Sequence, residues 1–370
     1  MNDQEMFALL MVLAVTSQFI AVRFGTTAAI IEMVLGTVVA NIMEVKVTSF
    51  EWLLFLTSLA GVFMTFLAGS EVDKTSLIKN LKGSILIGGA SFLAPFLGVF
   101  MVTKDVLGWD INASLLAAVA LSETSIAIVY VVLVEGGKSG TPLGSMLLSA
   151  CFFTNLFSSI ALTLLFSEPS LGLAILASVL IAIWLFSSKG MIKVSKIFKE
   201  RSSDAVIKTV IMLLAIMMAI SVFAGVAAVL GAYVTGVAMA NFMRHQYDDA
   251  RKMKVLTTSF LSSFFFISAG MSVDASVLLS AMFVILFLMG VRLAVKTLAV
   301  GVVMRITRSE SVLYSALLMS TSLTFGMVFC QFGLANGIIG QSEFSVLVMV
   351  LILCAIVPTI IAQRYYNPWR

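Results

Sequence analysis

The stretch Phe63-Met-Thr-Phe-Leu-Ala-Gly-Ser-Glu-Val-Asp73 returns 201 residues later as Phe264-Phe-Phe-Ile-Ser-Ala-Gly-Met-Ser-Val-Asp274. A second stretch, Gly36-Thr-Val-Val-Ala-Asn-Ile-Met43, returns as Gly236-Val-Ala-Met-Ala-Asn-Phe-Met243 at an offset of 200. A weaker third pair, Leu121-Ser-Glu-Thr-Ser125 and Met319-Ser-Thr-Ser-Leu323, lies at 198. Single matches of small and apolar residues are cheap in membrane helices. Three in the same order at nearly one offset mark an internal repeat.

Composition says what kind of segment is repeated. Of 370 residues, 60% are hydrophobic and 11% charged, with a mean hydropathy of +1.10; a soluble domain carries about 25% charged residues. Apolar runs of membrane-spanning length predict thirteen helices, at 5–24, 26–44, 50–70, 81–103, 111–134, 141–166, 169–188, 204–222, 223–243, 253–271, 276–304, 310–335 and 342–363, numbered α1 to α13. The α8/α9 division has no charge to mark it. With the N-terminus outside, eighteen of the 23 Lys and Arg fall in cytoplasmic connections and only Lys46 and Lys104 in outer ones. Of the rest, Lys208 opens α8, and Arg292 and Lys296 lie inside α11. That alternation predicts N-out, C-in. The +4 net charge therefore reports topology and gives no reason to expect nucleic acid.

The remaining markers are mostly exclusions. The acidic start Met1-Asn-Asp-Gln-Glu5 lacks a signal peptide's basic region, so α1 is expected to be retained. Cys151, Cys330 and Cys354 fall within spans, with no disulfide or metal spacing, and are expected to pack. His245 reads as a solvated loop residue. No phosphate-binding loop, cofactor motif or catalytic constellation is present, which disfavours ATP-driven pumping and an enzyme. The expected organisation is one transmembrane transporter domain over 1–370, without a soluble regulatory domain.

Topology gives the repeat its meaning. From α2 to α9, α3 to α10 and α5 to α12 the step is seven helices. Seven is odd, so the copies run in opposite directions. The first inverted repeat covers 1–166, a connector 167–203, and the second repeat 204–370. Inverted repeats are the architecture of alternating-access transporters, with the site near the midplane between broken helices. The candidates for breaking are α5, at Ser122-Glu123-Thr124-Ser125, and α12, at Ser320-Thr321-Ser322. Their hydroxyls compete with the helical ladder, or else pack between helices.

Ionisable residues at membrane depth mark function by default. Glu123 lies near the middle of α5, Glu32 in α2, and Arg292 and Lys296 four apart on one face of α11. Two acids and two bases predict pairing. Glu123 either exchanges a cation for a proton or is fixed in a salt bridge to Lys296 or Arg292. Lys296 either competes with the ion or snorkels to the interface. Arg292 reads as a structural clamp and Glu32 as a structural hydrogen-bonding group. Thr154 and Asn155 in α6 offer neutral oxygens suited to Na+ or K+, or interhelical hydrogen bonds.

At these residues the chain resembles the cation:proton antiporter superfamily, in its bacterial and archaeal Na+/H+ and K+/H+ exchanger branch. Ile30-Ile-Glu-Met-Val-Leu-Gly36 resembles that branch's early Glu-containing helix. Phe63 to Asp73, Val229-Leu-Gly-Ala-Tyr-Val-Thr-Gly236 and Phe264 to Asp274 are similar to three further motifs. The resemblance implies a homodimer through α1–α3 and α8–α10, a moving core of α4–α6 and α11–α13, and a prokaryotic cytoplasmic membrane. It also implies an Asp-Asp or Asn-Asp pair on α6 with a lysine on α11, which Lys296 matches. Here the α6 pair reads Thr154-Asn155, without the usual carboxylate. Glu123 stands where a related branch, with a Thr-Asp-Pro crossover, has its acid.

The sequence thus predicts an electroneutral secondary antiporter of Na+ or K+ against H+. Its cation and proton site is Glu123, Asn155, Thr154, Ser122 and Thr124. Lys296 and Arg292 are its charge partners, and Ser320, Thr321 and Ser322 the mate crossover. The rivals are a Na+-coupled organic-anion symporter and a non-transporting homologue.

Overall fold

In lipid every backbone N–H and C=O must pair within its own segment, and the apolar runs do so as helices. The computed structural model describes residues 1–24, 27–135, 138, 140–167, 170–198, 204–307 and 311–366, with no β-strand among them. Among the described residues ten helices are long and apolar enough to cross a membrane, with shorter apolar helices besides. A helix, whole or broken, stands at each of the thirteen predicted positions. The unbroken ones are α1 (Asp3–Phe24), α2 (Ala28–Met43), α3 (Glu51–Ser70), α4 (Leu81–Met101), α6 (Pro142–Phe166), α7 (Leu171–Phe198), α8 (Ala205–Ala224), α9 (Val229–His245), α11 (Met282–Ile306) and α13 (Gln341–Tyr365). The unmarked α8/α9 boundary is set by Gly225, whose φ of 67° ends α8 in the left-handed region that favours glycine. Helix α10 is Tyr247–Leu256 and Ser262–Met271, joined by a π turn at Thr257–Leu261.

Both predicted breaks are present. Helix α5 divides into α5a (Ile111–Ser122) and α5b (Ile126–Glu135). Helix α12 divides into α12a (Val312–Met319) and α12b (Thr324–Ala335).

The repeated stretches explain themselves once packed. Helix α2 lies against α10, and α3 against α9. A Cβ on Gly36 would strike the Ile267 carbonyl oxygen, and one on Gly270 the Met33 carbonyl oxygen. Likewise a Cβ on Gly69 would strike the Tyr233 carbonyl oxygen, and one on Gly236 that of Phe66. Gly36 and Gly236 are repeat mates, as are Gly69 and Gly270. Exchanging mates therefore turns one close crossing into the other. The terminal Asp of each long stretch caps a six-residue linker helix. Asp73 accepts from Thr75 N at 3.0 Å ahead of Lys74–Lys79, and Asp274 from Ser276 N at 2.9 Å ahead of Ala275–Ser280. The Ser276 hydroxyl, donating at 2.6 Å, holds the Asp274 carboxyl below its ordinary range.

The three cysteines are free and buried, and His245 is exposed at the end of α9.

Candidate ion site at the two helix breaks

Breaking a helix strands carbonyls at the end of one half and N–H groups at the start of the next. Each stranded end carries its share of the helix dipole, negative at the carbonyl end. The candidate site is the set of side chains that answers those four ends, and all ten predicted site residues are buried.

The carbonyl ends are met by α11. Arg292 donates from Nε to Leu121 O at 2.5 Å, from Nη1 to Ser320 O at 2.5 Å and from Nη2 to Glu123 O at 3.2 Å. Its fork therefore ties the end of α5a to the end of α12a. Lys296, one turn on, donates to Ser122 O and Glu123 O, each at 2.6 Å. Two cations on one face of α11 thus sit at the negative ends of both half-helices.

The N–H ends are met by acceptors. Glu123 Oε1 accepts from Leu323 N at 2.7 Å and from the Ser322 hydroxyl at 2.5 Å, which caps the start of α12b. Asn155 Oδ1 accepts from Thr124 N at 3.1 Å, ahead of α5b. A backbone bond from Ser125 N to Thr321 O, 3.1 Å, joins the two breaks directly. This dipole-matched crossing of unwound segments is how transporter folds tolerate irregular backbone at depth.

The predicted acid–base pairing does not occur. Among the described residues the ion pairs are Arg244–Asp73, Lys252–Asp204 and Lys254–Glu71, all toward solvent. Arg292 and Lys296 hold backbone oxygens, not the Glu123 carboxylate. The reason is the breaks themselves, whose stranded carbonyls are partners that no side-chain count reveals. Nor does Lys296 snorkel, since it is fully buried.

The remaining predicted residues divide. Thr124 faces inward, its hydroxyl donating to Met319 O at 2.9 Å and lying 3.3 Å from Ser91 Oγ. Thr154 turns away, donating to Ala150 O at 3.0 Å and approaching Gly88 O of α4 at 3.4 Å. Ser122, Ser320 and Thr321 bond back to their own half-helices, at Ala118 O, Ala316 O and Leu318 O. Ser91, the Leu323 N–H and Thr297, whose hydroxyl lies 3.1 Å from Ser320 Oγ, were not predicted. Ser91 and Thr297 look like any serine or threonine in a membrane helix, and a backbone N–H has no sequence signature.

Two polar atoms at the crossing have no partner among the described residues. Glu123 Oε2 and Asn155 Nδ2 are buried without a hydrogen bond. Near α12b a cavity of about 560 Å³ opens among α3, α8, α9 and α10, lined in part by Thr57, Ser221, Ser268, Gln331 and Asn336. Glu123, fully buried, is not among its lining residues.

A helical membrane bundle with two crossed, broken helices whose four ends meet at one carboxylate, one amide and two basic side chains has the architecture of a secondary transporter. The family model for the transmembrane region of sodium/hydrogen exchangers matches residues 7–366, and the chain belongs to that family. It is 25% identical over 354 residues to the probable Na(+)/H(+) antiporter 3 of Methanocaldococcus jannaschii, covering 92% of this chain and 90% of that protein. It is 21% identical to the Na(+)/H(+)-K(+) antiporter GerN of Bacillus cereus, covering 91% and 89%. Its fold matches the solved structure of the sodium proton antiporter MjNhaP1 from M. jannaschii, with a TM-score of 0.74 and 14% identity over the whole of both chains.

Proposed function

We propose that this protein exchanges Na+ or K+ for H+ by alternating access, and that Glu123 is the group the proton and the cation share. The observation that carries the reading is the unpartnered Oε2 of a fully buried glutamate. Its other oxygen is committed to Ser322 and Leu323, which leaves one free position. An ionised carboxylate at this depth requires a cation there, and a protonated one does not. Occupancy by one excludes the other, and that exclusion is the coupling. One carboxylate changes charge by one unit, so one proton exchanges for one monovalent cation, electroneutrally.

Arg292 and Lys296 stay on their carbonyls in either occupancy, holding the crossing together as it moves. The core of α4–α6 and α11–α13 shifts against a scaffold of α1–α3 and α8–α10, through which two copies pair. The orientation is N-out, C-in, in a prokaryotic cytoplasmic membrane. The activities for which the two relatives are named, Na+/H+ and Na+/H+-K+ antiport, agree with this reading. The organic-anion symporter gains no support, because the two cations that would hold the anion already serve backbone oxygens.

The test is cation flux driven by a pH gradient in proteoliposomes, with Na+, K+ and Li+ in turn. The parent should exchange at least one of them without responding to membrane potential, and Glu123→Gln should fall to the rate of empty vesicles. Parental flux in Glu123→Gln overturns the role of Glu123.

A further inference from the structure

A second buried carboxylate lies apart from the helix breaks. Glu32, the fifth residue of α2, is 3% exposed and sits between α1 and α10. Two hydroxyls face it. Ser263 Oγ of α10 lies 2.6 Å from Glu32 Oε1, and Ser17 Oγ of α1 lies 3.5 Å from the same oxygen. No ion pair includes it among the described residues. Of the basic residues near the ends of these helices, Arg23 and Arg251 are exposed, and Lys252 and Lys254 are paired with Asp204 and Glu71.

Counting hydrogens decides what this carboxyl carries. A serine hydroxyl has one hydrogen to give. That of Ser17 goes to Ala14 O, at 2.7 Å. The long contact to Glu32 is then a Ser17 oxygen with a lone pair to offer and no hydrogen. An ionised Glu32 would have a single donor, Ser263, and would face the Ser17 lone pair. A neutral carboxylic acid closes the chain. Ser263 donates to Glu32, Glu32 donates to Ser17, and Ser17 donates to Ala14 O. Every hydrogen of the three groups then has an acceptor, as buried polar networks require.

The next residue, Met33, gives the carbonyl that a Cβ on Gly270 would strike, so α2 and α10 cross closely beside Glu32 in sequence.

We infer that Glu32 is a proton-binding site of the scaffold, separate from the exchange site, whose proton bridges α1, α2 and α10. It does not take part in exchange. Its ionisation at high pH loosens the part of the protein against which the core moves. Exchange then declines on the alkaline side for a reason unrelated to the cation.

Infrared difference spectroscopy on the purified protein tests this, in the Glu123→Gln background so that Glu123 contributes no band. A protonated-carboxyl stretch should be present at pH 7, absent in the Glu32→Gln/Glu123→Gln double variant, and shifted in frequency by Ser263→Ala. Thermal unfolding gives a second readout. A carboxyl that keeps its proton when folded and loses it on unfolding makes stability fall as pH rises, with a slope of one proton. The stability of Glu32→Gln relative to the parent should therefore climb steadily from pH 5 to pH 8, and its exchange should match the parent at neutral pH while persisting further into the alkaline range. Absence of the band together with a pH-independent stability difference overturns the proposal. So does stabilisation of the parent by Na+ or K+ that Glu32→Gln abolishes, which would make the ligand a metal cation.

Discussion

The Glu123 carboxylate and the Leu323 backbone N–H, 200 residues apart in sequence, are joined by a 2.7 Å hydrogen bond across the two helix breaks. The acid of one crossover thus caps the half-helix that begins at the other. This gives the chemical inequality of the two repeats a structural reason. Thr321, the repeat mate of Glu123, offers its carbonyl to Ser125 N, so one break contributes a charge and the other a backbone acceptor. It also places the ion-binding candidate where any change in its occupancy is felt by both broken helices.

Ser322→Ala tests how that carboxylate is tuned. Its hydroxyl donates to Glu123 Oε1 at 2.5 Å, and a donor of this kind favours the ionised form. Without it the proton is held more firmly, and a higher pH is needed to free the site for a cation. A hydrogen bond to a charged group contributes about 1.5–3 kcal/mol, and one pH unit corresponds to about 1.4 kcal/mol. The pH of half-maximal exchange should rise by about one unit or more, read from flux profiles, with the maximal rate retained. An unmoved profile would show that Oε1 is not on the titrating group.

Arg292 is predicted to be a stability residue before it is a transport residue. It makes three hydrogen bonds to carbonyls on two half-helices. Arg292→Lys keeps the charge but loses the planar fork that spans both ends. It should destabilise the protein by about 2–4 kcal/mol, seen as a lower midpoint of thermal unfolding in detergent. A parental midpoint would mean that the two half-helices do not need the clamp.

The repeat glycines and an open one make a matched pair. Gly236→Ala drives a methyl group into the Phe66 carbonyl of α3 and leaves it 2.9 Å from Ser70 N. Overpacking of this kind costs about 1–3 kcal/mol. Gly290, inside α11, has open space where a Cβ would stand, with no neighbouring atom within 4 Å. Gly290→Ala should therefore stabilise by about 0.5–1 kcal/mol through helix propensity. Opposite signs in unfolding midpoints are the expected result. Equal tolerance of both would remove the close crossing of α3 and α9.

The fold was legible because its signals are repetitive. Thirteen apolar runs and three matches near one offset report the same arrangement, and each break advertised itself as a run of hydroxyl residues. The residues gathered at the two breaks were legible in the sequence and their bonds were not. Glu123, Arg292 and Lys296 stood out because ions are rare at that depth, but counting two acids against two bases suggested that they pair with one another. The partners that claim Arg292 and Lys296 are the carbonyls of Leu121, Ser122, Glu123 and Ser320. Every residue has a carbonyl, and only the three-dimensional break says which ones are stranded. Thr154 carried two readings for a related reason. A threonine in a helix bonds its own backbone as readily as a ligand, and here its hydroxyl goes to Ala150 O and toward α4.

Asn155→Asp puts the coupling ratio itself to the test. Asn155 Oδ1 accepts from Thr124 N at 3.1 Å, a bond that an aspartate oxygen makes equally well, and Nδ2 has no partner to lose. The substitution is therefore nearly isosteric and should leave the fold intact. It adds a second buried carboxylate beside the α5 break, at the position where the resembled exchanger branch usually has an acid. Two carboxylates close together titrate as a coupled pair, and with no cation bound both hold protons. When one monovalent cation enters, both protons must leave or one must stay behind. If both leave, each cycle moves one net charge, and exchange becomes sensitive to membrane potential. The expected outcome is parental flux that is indifferent to an imposed potential, and Asn155→Asp flux that is accelerated or slowed by its sign, measured in the same proteoliposomes with a diffusion potential set by a permeant anion such as thiocyanate. A potential-sensitive parent would mean that more than one charge already moves per cycle, and the one-carboxylate account of coupling would then be wrong.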